Sequence, residues 1–262
     1  MASERIVVIT GASQGIGKAA AAAFSANGDR VWNLSRRDPN DPHATHIPCD
    51  VTDEAQCRAA IGTVLQDAGR IDVLLLNAGF GISGPVETTA IEAMQKQFDV
   101  CLFGAIRVLK AALPALRESR GMILFTSSVA AVTPIPYQAF YSACKASIDS
   151  VVMALRNELK GTGVRVAAVL PGDVKTGFTA AREKNPANLA LYPNETRAVA
   201  RMEHDEQHGM PPARIAKRFV AFSKQKNPKP FCSVGFAYSA VLVLMKLLPA
   251  RFANRVLGKL YA

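Results

Sequence analysis

Seven short, mostly apolar runs recur through the chain, at Arg5–Ile9, Arg30–Leu34, Thr45–Pro48, Val73–Leu76, Met122–Thr126, Val164–Leu170 and Phe231–Val234. They are rich in Val, Ile and Leu, and each reads as a strand buried on both faces. Stretches of helical character lie between them, at Ile16–Asn27, Asp53–Asp67, Ile91–Glu118, Gln138–Lys160 and Pro212–Gln225. Alternation of this kind predicts an α/β fold: a single-domain, Rossmann-type, doubly wound parallel sheet of about seven strands with helices on both faces. Nearly half of the 262 residues are hydrophobic, which supplies one large core. No linker or internal repeat divides the chain, so the expected domain is 1–262.

The first run leads into "TGASQGIG", residues 10–17. Gly11 permits a sharp turn, Gly15 a close backbone approach, and Gly17 packing of the next helix on the strand. The N-terminus of a helix starting near Ile16 offers free N–H groups and a positive dipole end to a pyrophosphate. The spacing is G-x-x-x-G-x-G rather than G-x-G-x-x-G, but its place in the first strand–helix unit indicates dinucleotide binding. The second run ends in "WNLSRR". An acidic residue there would favour NAD by accepting from the ribose hydroxyls. Ser35 stands there instead and Arg36 follows, a hydroxyl and a guanidinium that suit a 2′-phosphate, so NADP(H) is expected. Arg37 reads as a surface charge.

In "YSACK", residues 141–145, Tyr141 and Lys145 lie one helical turn apart on one face. A phenol of pKa about 10 is a weak acid at neutral pH, and a nearby ammonium is expected to lower that value. Tyr141 would then donate a proton to a carbonyl under reduction. Upstream, "MILFTSSVAA" ends a strand in hydroxyl residues, where Ser128 can hold the carbonyl oxygen beside the phenol.

Taken in order, "TGASQGIG", "NAG" (77–79), Ser128, "YSACK" and "PGDVKT" (171–176) resemble the short-chain dehydrogenase/reductase family, over most of Ile6–Thr176. The resemblance implies transfer from nicotinamide C4 to a carbonyl, with Tyr141 as proton donor and Ser128 as orienting donor. Lys145 would bind the nicotinamide ribose and act on Tyr141. The resemblance also assigns cofactor contacts to Gly11, Ser13, Gln14, Gly15, Ile16 and Gly17 in the turn, and to Asn77, Ala78 and Gly79. Asp50 and Val51 would meet the adenine, and Pro171, Gly172, Val174 and Thr176 the nicotinamide end. One departure stands out: in "FDVCLFG", Cys101 occupies the place of an Asn that the family uses in a proton relay. A thiol donates and accepts weakly. The alternatives are therefore a cofactor-binding sensor or scaffold, and a 3-oxoacyl-thioester reductase. The latter usually ends near its last strand, whereas 28 residues follow Val234 here.

The polar stretch 177–211 is expected to form either a substrate lid or a disordered surface loop. The ten cations after Glu206 account for the whole net charge of +10, and no acidic residue follows. Such asymmetry points to a local anionic partner rather than a generally basic protein, and no nucleic-acid partner is expected. The apolar, basic segment 235–262 reads as a core or dimer-interface helix, a peripheral contact with anionic membrane, or a site for an anionic substrate. Its resemblance to the lipid- and steroid-acting branch points to a hydrophobic carbonyl substrate. Five cysteines without a CxxC pair fit a reducing compartment, and "HDEQH" (204–208) is read as surface histidines, not a metal site. The beginning does not read as a signal peptide. A cytoplasmic homo-oligomer, dimer or tetramer, is the expectation.

Overall fold

Because side chains alternate across a strand, β1 (Ile6–Thr10) sends Ile6 and Val8 to one face of the sheet and Val7 and Ile9 to the other. The computed structural model describes residues 4–185 and 188–261; the parts of the expected start, lid and tail at 1–3, 186–187 and 262, and the side chain of Lys246, lie outside the described residues. The remaining strands are β2 (Arg30–Ser35), β3 (Thr45–Pro48), β4 (Val73–Leu76), β5 (Ile82–Ser83), β6 (Met122–Thr126), β7 (Arg165–Leu170), β8 (Glu183–Lys184) and β9 (Phe231–Ser233). Seven form one parallel sheet in the order β3-β2-β1-β4-β6-β7-β9, and β5 pairs with β8 separately. The doubly wound fold read from the alternation of runs is the one observed.

Both faces of that sheet are covered. The helices are α1 (Gly15–Ala26), α2 (Glu54–Ala68), α3 (Ile91–Phe98), α4 (Gly104–Ser119), α5 (Ala139–Glu158), α6 (Glu195–Gln207), α7 (Pro212–Ser223), α8 (Phe236–Leu247) and α9 (Ala250–Tyr261). Ile61 and Val64 of α2, Val108 and Ala112 of α4, and Ile148 and Val152 of α5 join Ile6 and Val8 in one core. Phe24 of α1 and Phe219 of α7 join Val7 and Ile9 in the other. Each of these aromatic rings is fully buried, which stabilises the fold by about 1.5–3 kcal/mol per ring. Asp53 caps α2 by accepting from Ala55 N at 2.8 Å and Gln56 N at 3.1 Å.

Two expectations are corrected. The helix read over Ile91–Glu118 is interrupted by a π-helical turn, Asp99–Phe103, between α3 and α4. The reading of 177–211 as a disordered loop does not hold for its described residues. They contain β8 and α6, and α6 buries Ala198, Val199 and Met202. Only these three positions of α6 are buried, too few to show through its polar sequence. The strand order reverses between β1 and β4, and a crevice outside the carboxyl ends of the strands is the place for a ligand in such a sheet.

Candidate active site

At the end of β1 the chain turns through Gly11 and Gly15, whose φ angles are +69° and +57°, a region that strains any residue with a Cβ. A Cβ on Gly17 would stand 2.3 Å from the Gly11 carbonyl oxygen and 2.6 Å from Asn77 Nδ2. Only glycine lets α1 lie that close to the turn. Asn77 braces this floor: its Nδ2 donates to the Thr10 and Gly11 carbonyls, both at 3.2 Å. Its Oδ1 accepts from Thr126 Oγ1 at 3.1 Å. Thr10 Oγ1 in turn accepts from Asn77 N and Ala78 N at 2.9 and 3.0 Å, and Asn33 Oδ1 accepts from Ala12 N at 2.9 Å. Thr10 opens the "TGASQGIG" motif but its bracing role was not read from it, and Asn33 and Thr126 were given no role by sequence reasoning. Their polarity inside apolar strands was the available signal.

A cavity of about 1140 Å³ follows the carboxyl ends of the strands. It brings together Gly11, Ser13, Gln14, Gly15 and Ile16 of the turn with Ser35 and Arg36 after β2, and Asp50 and Val51 after β3. Asn77, Ala78 and Gly79 after β4, Ser128 after β6, Tyr141 and Lys145 of α5, and Pro171, Gly172, Val174 and Thr176 after β7 complete this set. Of the residues expected at the site, Gly17 stays behind the wall. The residues present fit a dinucleotide. The N-cap of α1, Gln14, makes no side-chain cap bond and the first turn holds no acidic group, so N–H groups there are left for an anion. Arg37, read as a surface charge, also lines the cavity, and among the described residues neither it nor Arg36 has an ion-pair partner. The Ser35 hydroxyl donates to the Arg37 carbonyl at 3.0 Å.

Around Tyr141 the chemistry is enclosed. The Lys145 ammonium lies 5.7 Å from the Tyr141 ring centre and donates to the Thr126 carbonyl at 2.8 Å. Ser128 Oγ accepts from Ala130 N at 3.1 Å, capping the short turn Val129–Ala131. Burial pushes the Tyr141 phenol above its ordinary value, against the opposing effects of Lys145 and of the hydrogen bond with Ser128. The expectation that Lys145 leaves this phenol below its usual value is therefore corrected: desolvation wins. Burial also works against the Lys145 ammonium, but Tyr141, Cys101, Cys144 and Asp149 together hold it above the ordinary lysine value. Phe178 packs on Tyr141 with ring centres 5.7 Å apart. Phe178, Tyr238, Tyr261 and Glu206, none of them in a motif, also line the cavity.

Cys101 sits in the π-helical turn, almost wholly buried, and accepts from Gln97 Nε2 at 3.0 Å. Its thiol faces the Phe80 carbonyl at 3.6 Å. The hydrogen bond with Cys144 pulls it below the ordinary thiol value, to about 6, with Lys145 assisting against burial. The thiol is therefore more polar in this setting than its type suggests. His204 and His208 are exposed on α6 with their rings stacked 4.2 Å apart.

Residues 5–187 match the family model described as short chain dehydrogenase. The chain is 35% identical over 229 residues to a 3-ketodihydrosphingosine reductase of Bacteroides thetaiotaomicron, covering 86% of this chain and 85% of that one. It is 32% identical over 235 residues to a meso-2,3-butanediol dehydrogenase of Serratia marcescens, covering 85% and 91%. Among solved structures, a short-chain dehydrogenase from Streptomyces avermitilis is similar with a TM-score of 0.86 at 26% identity, covering 99% of this chain and 96% of that one.

Proposed function

Because the chain belongs to the short-chain dehydrogenase/reductase family of nicotinamide-dependent oxidoreductases, we propose that it reduces the carbonyl of a hydrophobic substrate with NADPH, reversibly. The observation behind this reading is one cavity that reaches from Ser35 and Arg36, beyond β2, to Ser128, Tyr141 and Lys145, beyond β6. The Arg36 and Arg37 guanidiniums at the first end, without ion-pair partners among the described residues, favour a cofactor carrying a 2′-phosphate. Phe98, Phe178, Tyr238 and Tyr261 on the walls favour a long-chain or polycyclic ketone or aldehyde, as in a 3-keto sphingoid base, steroid, retinoid or acyl lipid. The name of the Bacteroides relative supports the same choice.

Bound in this cavity, the nicotinamide supplies the hydride equivalent that the carbonyl carbon gains. The chain's own residues handle the oxygen. Tyr141 donates its phenolic proton to it, and the Ser128 hydroxyl donates a hydrogen bond that holds it in reach. Lys145, fixed by the Thr126 carbonyl, stabilises the phenolate left behind until a proton returns. Phe178 keeps water off the phenol. The rival reading, in which Cys101 silences catalysis, is disfavoured because Cys101 lies outside the cavity lining and Lys145 has its own anchor.

Loss of reduced-nicotinamide absorbance is the test, across steroids, retinal, a 3-keto sphingoid base, acyl-dihydroxyacetone phosphate and acetoacetyl thioesters. Turnover of an apolar ketone is expected, with NADPH preferred over NADH and the preference reduced in Arg36→Ala. Binding of NADPH without turnover of any compound would overturn the reading. Preference for the thioesters would shift it to the acyl-thioester class.

A further inference from the structure

Thirteen large apolar side chains are exposed among the described residues, and seven of them lie within residues 236–260, so the exposed apolar surface is gathered on α8 and α9. On α8 they are Phe236, Val243, Leu244 and Leu247, the first 91% and the last 76% exposed. Their spacing is that of one helix face. On α9, Phe252, Val256 and Leu260 recur every fourth residue. One step along the same helix, Arg251, Arg255 and Lys259 form a second exposed row. No acidic residue follows Glu206 in the sequence. The acidic groups of α6 that act on Tyr261 of α9, Asp205 and Glu206, are already paired with Arg201 and Arg182.

We propose that α8 and α9 dock in the plane of an anionic lipid surface, with the apolar rows entering the acyl boundary and the cations meeting headgroups. No helix among the described residues is long and apolar enough to cross a membrane, so the contact is peripheral. A second copy of the chain is a poor occupant. In a two-fold contact Arg251, Arg255 and Lys259 would face their own equivalents, with no acid on either helix to offset them. Tyr238 of α8 and Tyr261 of α9 line the cavity. Docking by these helices therefore sets the cavity beside the bilayer and lets an apolar ketone pass between them, a consequence that rests on the reductase reading above.

The test is flotation of the full chain with phosphatidylcholine vesicles, with and without phosphatidylglycerol. The intact chain is expected to float with the anionic vesicles at low salt, weakly with the zwitterionic ones, and to come off as salt is raised. Arg251→Gln/Arg255→Gln/Lys259→Gln should lose on the order of a hundredfold in partition, about fivefold per cation. Leu244→Ser/Leu247→Ser/Phe252→Ser should lose binding to both. None of these residues lines the cavity, so each variant should keep the intact chain's rate with a small water-soluble ketone in vesicle-free buffer, which also reports folding. Three results would overturn the proposal: an intact chain that ignores anionic vesicles, a glutamine variant that floats as well as the intact chain, or a dimer that dissociates only in the serine variant. Failure to turn over any ketone would sink the reductase reading and leave the vesicle result standing.

Discussion

With desolvation outweighing both Lys145 and Ser128, the Tyr141 phenol titrates above its ordinary value of 10.0, and this fixes the sign of the pH dependence. Reduction needs the protonated phenol, so its rate is expected to stay level through neutral pH and to fall only on the alkaline side, while alcohol oxidation rises there. Initial rates in both directions across pH check this; a reduction limb falling near neutrality would contradict it. Tyr141→Phe is expected to lower kcat by on the order of 10²–10⁴ and to leave nucleotide binding, read by fluorescence titration, near normal. Tyr141, Lys145 and Ser128 were legible because their spacing is local and their chemistry specific. What surrounds them was not. Lys145 is anchored by a carbonyl 19 residues back, and Cys101 meets Phe80 and Cys144 from two segments distant in sequence. No periodicity records such contacts.

At the level of elements, the seven strands of the main sheet and most helices could be read, the inner strands because they are continuous apolar runs. Edge strand β3 is not buried on both faces as read, and the two-residue strands β5 and β8 were not read at all. The π-helical turn could not, since it changes hydrogen-bond spacing without changing composition. The segment 177–211 was the hardest, because its order comes from contacts distant in sequence: β8 pairs with β5, α6 buries three side chains, and one ion pair is buried. The Arg182 side chain is wholly buried, pairs with Glu206 of α6, and Thr179 Oγ1 donates to the same carboxylate at 2.6 Å. Arg182→Met strands that carboxylate, at a cost of about 3 kcal/mol. It is expected to raise hydrogen exchange across β8 and α6 while β1, β4 and β6 stay protected. Equal protection throughout would show that the pair does not hold the segment.

Across the whole molecule, the doubly wound parallel sheet followed from the alternation of strands and helices, but its strand order and the role of the last two helices in walling the cavity did not. The Tyr238 ring lies so close to Gly172 that a Cβ there would stand 2.1 Å from it. Its hydroxyl accepts from Asp173 N at 3.0 Å and donates to Asp173 Oδ2 at 2.7 Å. This contact joins residues 65 apart, and nothing in either local stretch announces it. Gly172→Ala is expected to push α8 off the loop after β7, lowering Tm and weakening nucleotide binding together. A variant with unchanged Tm and affinity would show that the loop yields instead. The same contact makes the loop and the last helices a thermodynamically linked pair. Whatever factor a bilayer applies to nucleotide affinity, the nucleotide must apply to bilayer affinity, so any such coupling would make the nucleotide-bound fraction partition onto a vesicle differently from the free fraction.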